Sequence, residues 1–266
     1  MTFLQQTLGK NYKWWYLTHY EFKKSSSQFK AFLLNNSVLT IEFLAIVFIW
    51  RINSPSADII TYLAIGRIFT RLMSTWIDGH LSILIMKGGL TNFLIVPSNV
   101  FARIFFSDLG FNFFRSFITT LIILLFANLV FSGYLIFSYS LVYLIPLFII
   151  AFLIRTFLNF SFGSITFWNN DLANATSILN SFKTAGGLMS GNTIPLFVIF
   201  SGFYNPIFWT PFAFLLHHPM QIYLGKYNQT EIIQTFVGGI IWCITLWILA
   251  RLIFKVGLKK NEAIGL

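Results

Sequence analysis

The residues best placed to do chemistry in this sequence are charges that interrupt apolar runs. Glu42 lies eight residues from one end of an apolar stretch at 31–50, and Arg67 eight residues from one end of another at 59–76. With a rise of 1.5 Å per helical residue, each would sit roughly 12 Å below the membrane surface if these runs cross a bilayer. Antiparallel neighbours would then bring the two together. Such a pair is either a buried clasp between helices or a gate and substrate contact, and the sequence favours the clasp. Arg71 falls one turn deeper than Arg67 on the same helix face. Arg155 and Asp171 fall near the inner ends of successive runs, and the same pairing argument applies to them. Charges at such depth are costly and face a cavity or a partner.

A second polar concentration covers Asn169, Asn170, Asp171, Asn174, Thr176, Ser177, Asn180, Ser181 and Lys183. Read as a span at 168–190, it must be shielded by protein or line a wet path, because lipid offers these groups no partners. Read as a loop, it shifts the span to 185–203. The pathway-lining reading is preferred, with Asn170, Asp171, Asn174, Ser177 and Asn180 as its polar face. Gly187 and Gly191 form a G-x-x-x-G pair near the end of that helix, a spacing that lets helix backbones approach closely.

Catalytic and metal constellations are otherwise absent. There is no G-x-x-x-x-G-K-S/T phosphate loop, no H-E-x-x-H and no G-x-S-x-G, so nucleotide hydrolysis, zinc proteolysis and serine hydrolysis lack their machinery. His217 and His218 are adjacent, so their side chains diverge on a helix, and a metal there would need ligands from elsewhere. Acidic residues are scattered singly, without the paired carboxylates of acid–base catalysis. Cys243 is the one cysteine, which excludes a disulfide framework and a thiolate metal site. The chain reads as a non-enzyme that binds no cofactor or metal.

The elements that must position these residues follow from hydropathy. Apolar residues make up 56% of the chain and charged residues 10%, against roughly 25% charged in ordinary soluble domains. That composition cannot supply a charged shell. Near-continuous apolar runs at 31–50, 111–131, 139–162 and 233–254 each approach the roughly 20 residues that cross a bilayer as helix. With 59–76 and 168–190 they give an all-α integral membrane domain of six spans covering 1–266. Lys10, Lys13, Lys23, Lys24 and Lys30 precede the first run. Lys87 and Arg103 follow the second, and Lys255, Lys259 and Lys260 end the chain; the opposite side holds only Arg51 and Lys226. Both termini are therefore expected in the cytoplasm. The net charge of +10 flanks apolar runs and builds no stripe, which argues against a nucleic-acid partner. No cleavable signal peptide is expected, since no short apolar core precedes a small-residue cleavage site.

Residues 12–24 (YKWWYLTHYEFKK) combine aromatic rings with lysines, as in a helix lying in the lipid headgroup zone. Pro195, Pro206, Pro211 and Pro219 interrupt an aromatic stretch, and proline stops or kinks helices. Residues 195–225 thus read as short re-entrant segments on the outer side.

Several motifs run in order across almost the whole chain: Lys87-Gly88-Gly89-Leu90 with Phe93-Leu94-Ile95-Val96-Pro97, then Pro195-Leu196, Thr210-Pro211-Phe212, Pro219 and Leu224-Gly225-Lys226, and finally Gly257-Leu258-Lys259-Lys260 with Gly265. Together they resemble the ABC-2 family of ABC exporter permeases, in its six-span branch of about 260 residues. Val96, Phe200-Ser201 and Leu266 depart from that pattern. The resemblance implies a bacterial plasma-membrane permease that forms half of a translocation pathway with a second permease chain, a heterodimer before a homodimer. Two separate ATPase subunits would bind ATP and magnesium. It also implies a cytoplasmic coupling helix at Ile83 to Pro97, with Lys87, Gly88, Gly89, Leu90 and Pro97 as the ATPase-docking residues. The alternatives are an ATP-independent secondary transporter, for which only Glu42 offers a mid-membrane carboxylate, and a small membrane enzyme, for which no cluster is found.

Overall fold

The computed structural model describes residues 12–28, 41, 43–52, 56–95, 99–131, 140–168, 172–191, 194–199 and 202–265. Among these, every regular element is helical. In chain order they are α1 (Tyr12–Ser27), α2 (Phe43–Ile52), α3 (Ala57–Leu72), α4 (Ile77–Met86), α5 (Leu90–Ile95), α6 (Val100–Phe131), α7 (Leu141–Ser164), α8 (Leu172–Ser190), α9 (Leu196–Ile199), α10 (His217–Tyr223) and α11 (Gln229–Gly265). Tight 3-10 turns at Ile165–Trp168, Pro206–Trp209 and Ala213–Leu215 complete the connections.

Three helices are long and apolar enough to cross a membrane: Val100–Leu125, Leu141–Trp168 and Gln229–Lys260. Each carries its apolar surface outward. On α6, Phe113, Phe117, Leu121 and Leu125 are exposed, while Asp108, Asn112, Ser116, Thr119 and Thr120 are buried. Those buried positions recur every three to five residues, one stripe of a 3.6-residue helix turned inward. A soluble helix shows the reverse arrangement. The outer half of α7 exposes Val142, Ile145 and Ile149, and its inner half buries Thr156, Asn159, Ser161 and Ser164.

The boundaries differ from the hydropathy reading in instructive ways. The 111–131 run is the far part of a helix that already begins at Val100. Arg103, Asp108 and Asn112 depress the hydropathy there, but Asp108 Oδ1 accepts from Asn112 Nδ2 at 2.7 Å and from the Trp76 backbone N–H at 2.9 Å. Satisfied in this way, the polar turn stays helical. The 59–76 run stops as helix at Leu72, where the chain turns before α4. Of the 31–50 run only residues 41 and 43–50 lie among the described residues. The segment after Pro195 is built of short helices and 3-10 turns, as its prolines require.

The helix α7 is central, packing against α4, α10 and α11. Its approach to α4 is close: a Cβ on Gly163 would lie 2.9 Å from both Cα and O of Asp78. Ser82 and Thr166 hydroxyls meet at 2.8 Å in the same interface. The interfacial helix α1 lies along α6, with Trp14 stacked on Phe106 at 5.4 Å and Phe22 edge-on to Phe114 at 5.5 Å. Its other side leaves Lys13, Trp15, Tyr16 and Tyr20 exposed.

Candidate functional site

Helix periodicity collects the intramembrane arginines. On α3, Arg67, Arg71 and Ser74 are spaced by four and three residues and share one face with Thr70. On α7, Arg155, Leu158, Asn159 and Phe162 repeat the same spacing. These two faces, with Gly186, Gly187 and Ser190 of α8 and with Phe212 and Leu215, line a cavity of about 230 Å³. All three arginines border it, and no carboxylate occurs among its described lining residues.

The two main walls are tied together by hydrogen bonds from α7 to the end of α3. Arg155 Nη1 donates to the Thr70 carbonyl at 3.4 Å. Asn159 Nδ2 donates to Thr75 Oγ1 at 2.6 Å. Behind the wall, Asp78 and Asp108 act electrostatically on Arg155. Neutral hydroxyls of the lining are committed locally: Thr70 Oγ1 donates to the Arg67 carbonyl at 3.1 Å, and Ser190 Oγ to the Gly187 carbonyl at 2.9 Å. The groups left to address a ligand are chiefly guanidinium forks.

The polar residues singled out in the sequence are distributed as follows. Arg67 and Arg71 come together in the cavity. Glu42, Asn170, Asp171 and Pro97 lie outside the described residues, so the clasp between Glu42 and Arg67 has no geometry here. Asn174 falls within α8, while Ser177 and Asn180 are exposed on α8 and do not line the cavity. Gly187 borders it, and a Cβ there would meet nothing within 4 Å. Gly191 ends α8 at φ +82°, with a Cβ only 2.5 Å from the Tyr62 hydroxyl and 3.3 Å from Leu196. Its role combines a left-handed helix stop with close packing. Sequence reasoning did not place Arg155 and Asn159 beside Arg67. A charge in the apolar 139–162 run was the available signal.

The stretch expected as one coupling helix is a helical hairpin. Gly88 takes φ +70°, so the chain turns at Lys87–Gly89 between α4 and α5. Lys87 and Gly88 are exposed, Gly89 is half-buried and Leu90 is buried. Thr91 Oγ1 donates to the Gly88 carbonyl at 2.8 Å, closing the turn. Ile77, Leu81 and Ile85 bury one face of α4, which contacts both α7 and α8. Arg103 of α6 lies 4.1 Å above the Phe93 ring of α5.

The adjacent histidines are structural. His218 Nε2 lies 2.6 Å from the Phe208 carbonyl and Nδ1 lies 2.9 Å from the Tyr227 hydroxyl. A carbonyl only accepts, so Nε2 carries the proton and Nδ1 accepts from tyrosine. Neither nitrogen is open to a metal. His217 stacks on Phe208 at 4.2 Å. Burial pushes His217 down to about 3 and His218 down to about 4, with the His218 neighbour also lowering His217 and the Phe208 carbonyl opposing the shift of His218. Both are neutral braces of the segment outside the long spans. Among the described residues no group of His, Cys, Asp and Glu could hold a metal.

Compared with family models, residues 37–265 match one described as "ABC-2 family transporter protein". No curated protein and no solved structure matches.

Proposed function

The chain belongs to the ABC-2 transporter family, and from that premise we propose that it is the permease subunit of an ATP-driven exporter in a bacterial plasma membrane. Family membership and the apolar helices make it a membrane-embedded transport protein. The finer reading gives it six crossings with both termini cytoplasmic, as the distribution of lysine and arginine in SEQ order favours. Two permease chains, unlike one another by preference, then enclose the pathway, and a pair of separate ATPase subunits supplies the energy. The sequence carries no phosphate loop of its own, which suits this division.

The observation that carries the reading is the α4–α5 hairpin. Its exposed Lys87–Gly88 tip offers a docking surface, while buried Ile77, Leu81 and Ile85 hold α4 against α7 and α8. Those two helices line the arginine cavity. A push on the tip therefore reaches the cavity wall through close-packed side chains, which transmit strain because protein interiors have few voids. Substitution of Gly89 by tryptophan tests the docking. A Cβ there already lies 3.3 Å from Leu84, so an indole must project outward and obstruct a partner. Co-purification of the ATPase should fall at least tenfold while the variant chain still elutes as a single species. Undiminished recruitment overturns the docking assignment.

A further inference from the structure

We infer that the cavity between α3, α7 and α8 binds a phosphate-type oxyanion carried at one end of an amphiphile. The inference rests on the permease reading only in treating that amphiphile as cargo. Three observations support it. First, Arg67, Arg71 and Arg155 reach one space from two different helices. Guanidinium forks pair with oxyanions through parallel N–H···O bonds. A tetrahedral phosphate group offers an oxygen to each of three forks, whereas a planar carboxylate has only two oxygens to share.

Second, the neutral donors of the wall are already engaged. Thr70 and Ser190 donate to their own helices, and Asn159 donates to Thr75. Recognition is left to the cations, which selects for negative charge over a neutral polar group. Asp78 and Asp108 offset part of the Arg155 charge from behind the wall, but they do not border the cavity. Bringing three like charges to one low-dielectric space is unfavourable, and a bound anion relieves that cost.

Third, the size and the edges fit a head group with a tail. A volume of about 230 Å³ falls below the roughly 300–1,000 Å³ of pockets that enclose drug-sized ligands. Phe162, Phe212 and Leu215 form an apolar side, and the empty space over Gly187 leaves an exit for a chain.

The test uses the full chain in phosphatidylcholine nanodiscs, without nucleotide. In one arm inorganic phosphate is titrated and binding is read by thermophoresis. In the other, phosphatidic acid is included in the nanodiscs and retained lipid is counted by native mass spectrometry. Saturable binding in the first arm identifies a free anion as ligand; binding in the second alone identifies a lipid head group. Either supports the inference, provided R71Q and R155Q weaken it tenfold or more. R71K and R155K keep the charge but lose the fork. They serve where a glutamine variant fails to fold, and they should weaken binding at least threefold. Arg251 stacks on Trp247 at 3.9 Å, away from the cavity, so R251Q should bind as wild type. No binding in either arm, wild-type binding in the lysine variants, or equal loss in R251Q overturns the inference. ATPase co-purification is scored separately, so an empty cavity in a chain that recruits its ATPase refutes the anion site alone. A filled cavity in a chain that recruits none refutes the exporter.

Discussion

Substituting Gly110 by alanine should release α1 from α6. A Cβ at this position would lie 2.1 Å from the Thr18 carbonyl oxygen and 2.9 Å from the Thr18 Cα. These are backbone atoms, so no rotamer change relieves the clash and the whole helix must retreat by more than 1 Å to reach ordinary contact. The Thr18 hydroxyl now lies 3.1 Å from the Phe106 carbonyl. A retreat of that size breaks the hydrogen bond, worth about 1 kcal/mol net, and loosens the stacking of Trp14 on Phe106. Overpacking costs about 1–3 kcal/mol. Alanine's better helix propensity returns about 1 kcal/mol. The balance is a loss of about 1–3 kcal/mol in docking, a factor of about 5–150 in the docked population. Lys13, Lys23 and Lys24 are exposed on α1, so trypsin reports undocking directly. When reclosing outpaces cleavage, the rate tracks the open population. Cleavage of G110A in nanodiscs should therefore accelerate by at least fivefold. Propensity alone predicts the opposite sign, so unchanged or slower cleavage would refute the packing argument.

Two further outcomes are expected. Both histidines are held neutral in the fold and regain an ordinary value near 6.5 when unfolded, so the unfolded chain binds more protons once pH drops below that value. Their contribution to stability is complete above pH 6.5 and is lost as pH falls toward about 4 and about 3. By pH 5 the loss should be about 2 kcal/mol per histidine. Thermal midpoints at pH 7.5 and pH 5 check this, and H218N should flatten the dependence. The Ser82–Thr166 contact is buried at 2.8 Å, so S82A should cost about 1–3 kcal/mol by stranding one hydroxyl. The double variant S82A/T166V should recover part of that loss in a denaturation cycle; strict additivity would mean the two hydroxyls do not interact.

How much of this was legible in the sequence depended on range. The long spans α6, α7 and α11 were visible as apolar runs because lipid-facing residues need only local composition to be recognised. The first turns of α6 were hidden, since the partner that satisfies Asp108 is a backbone group at Trp76. Helical spacing placed Arg67 and Arg71 on one face, a fact internal to one element. Joining them to Arg155 required knowing which face of α7 turns toward α3, and no periodicity encodes that across about ninety intervening residues. The Lys87–Gly89 stretch was located by its glycines, yet its form as a hairpin followed from the positive φ of Gly88.

The exposed side of α8 has a consequence for how the cell must handle this chain. Ser177, Asn180, Ser181 and Thr184 stand exposed there, with Ser181 and Thr184 turned back onto carbonyls of their own helix. A lone subunit in lipid would display that polar flank to acyl chains, the signature by which membrane quality control distinguishes orphans from assembled complexes. Synthesised in excess, such copies are destined for proteolysis, so the amount of this protein that accumulates is set by the supply of whatever covers α8.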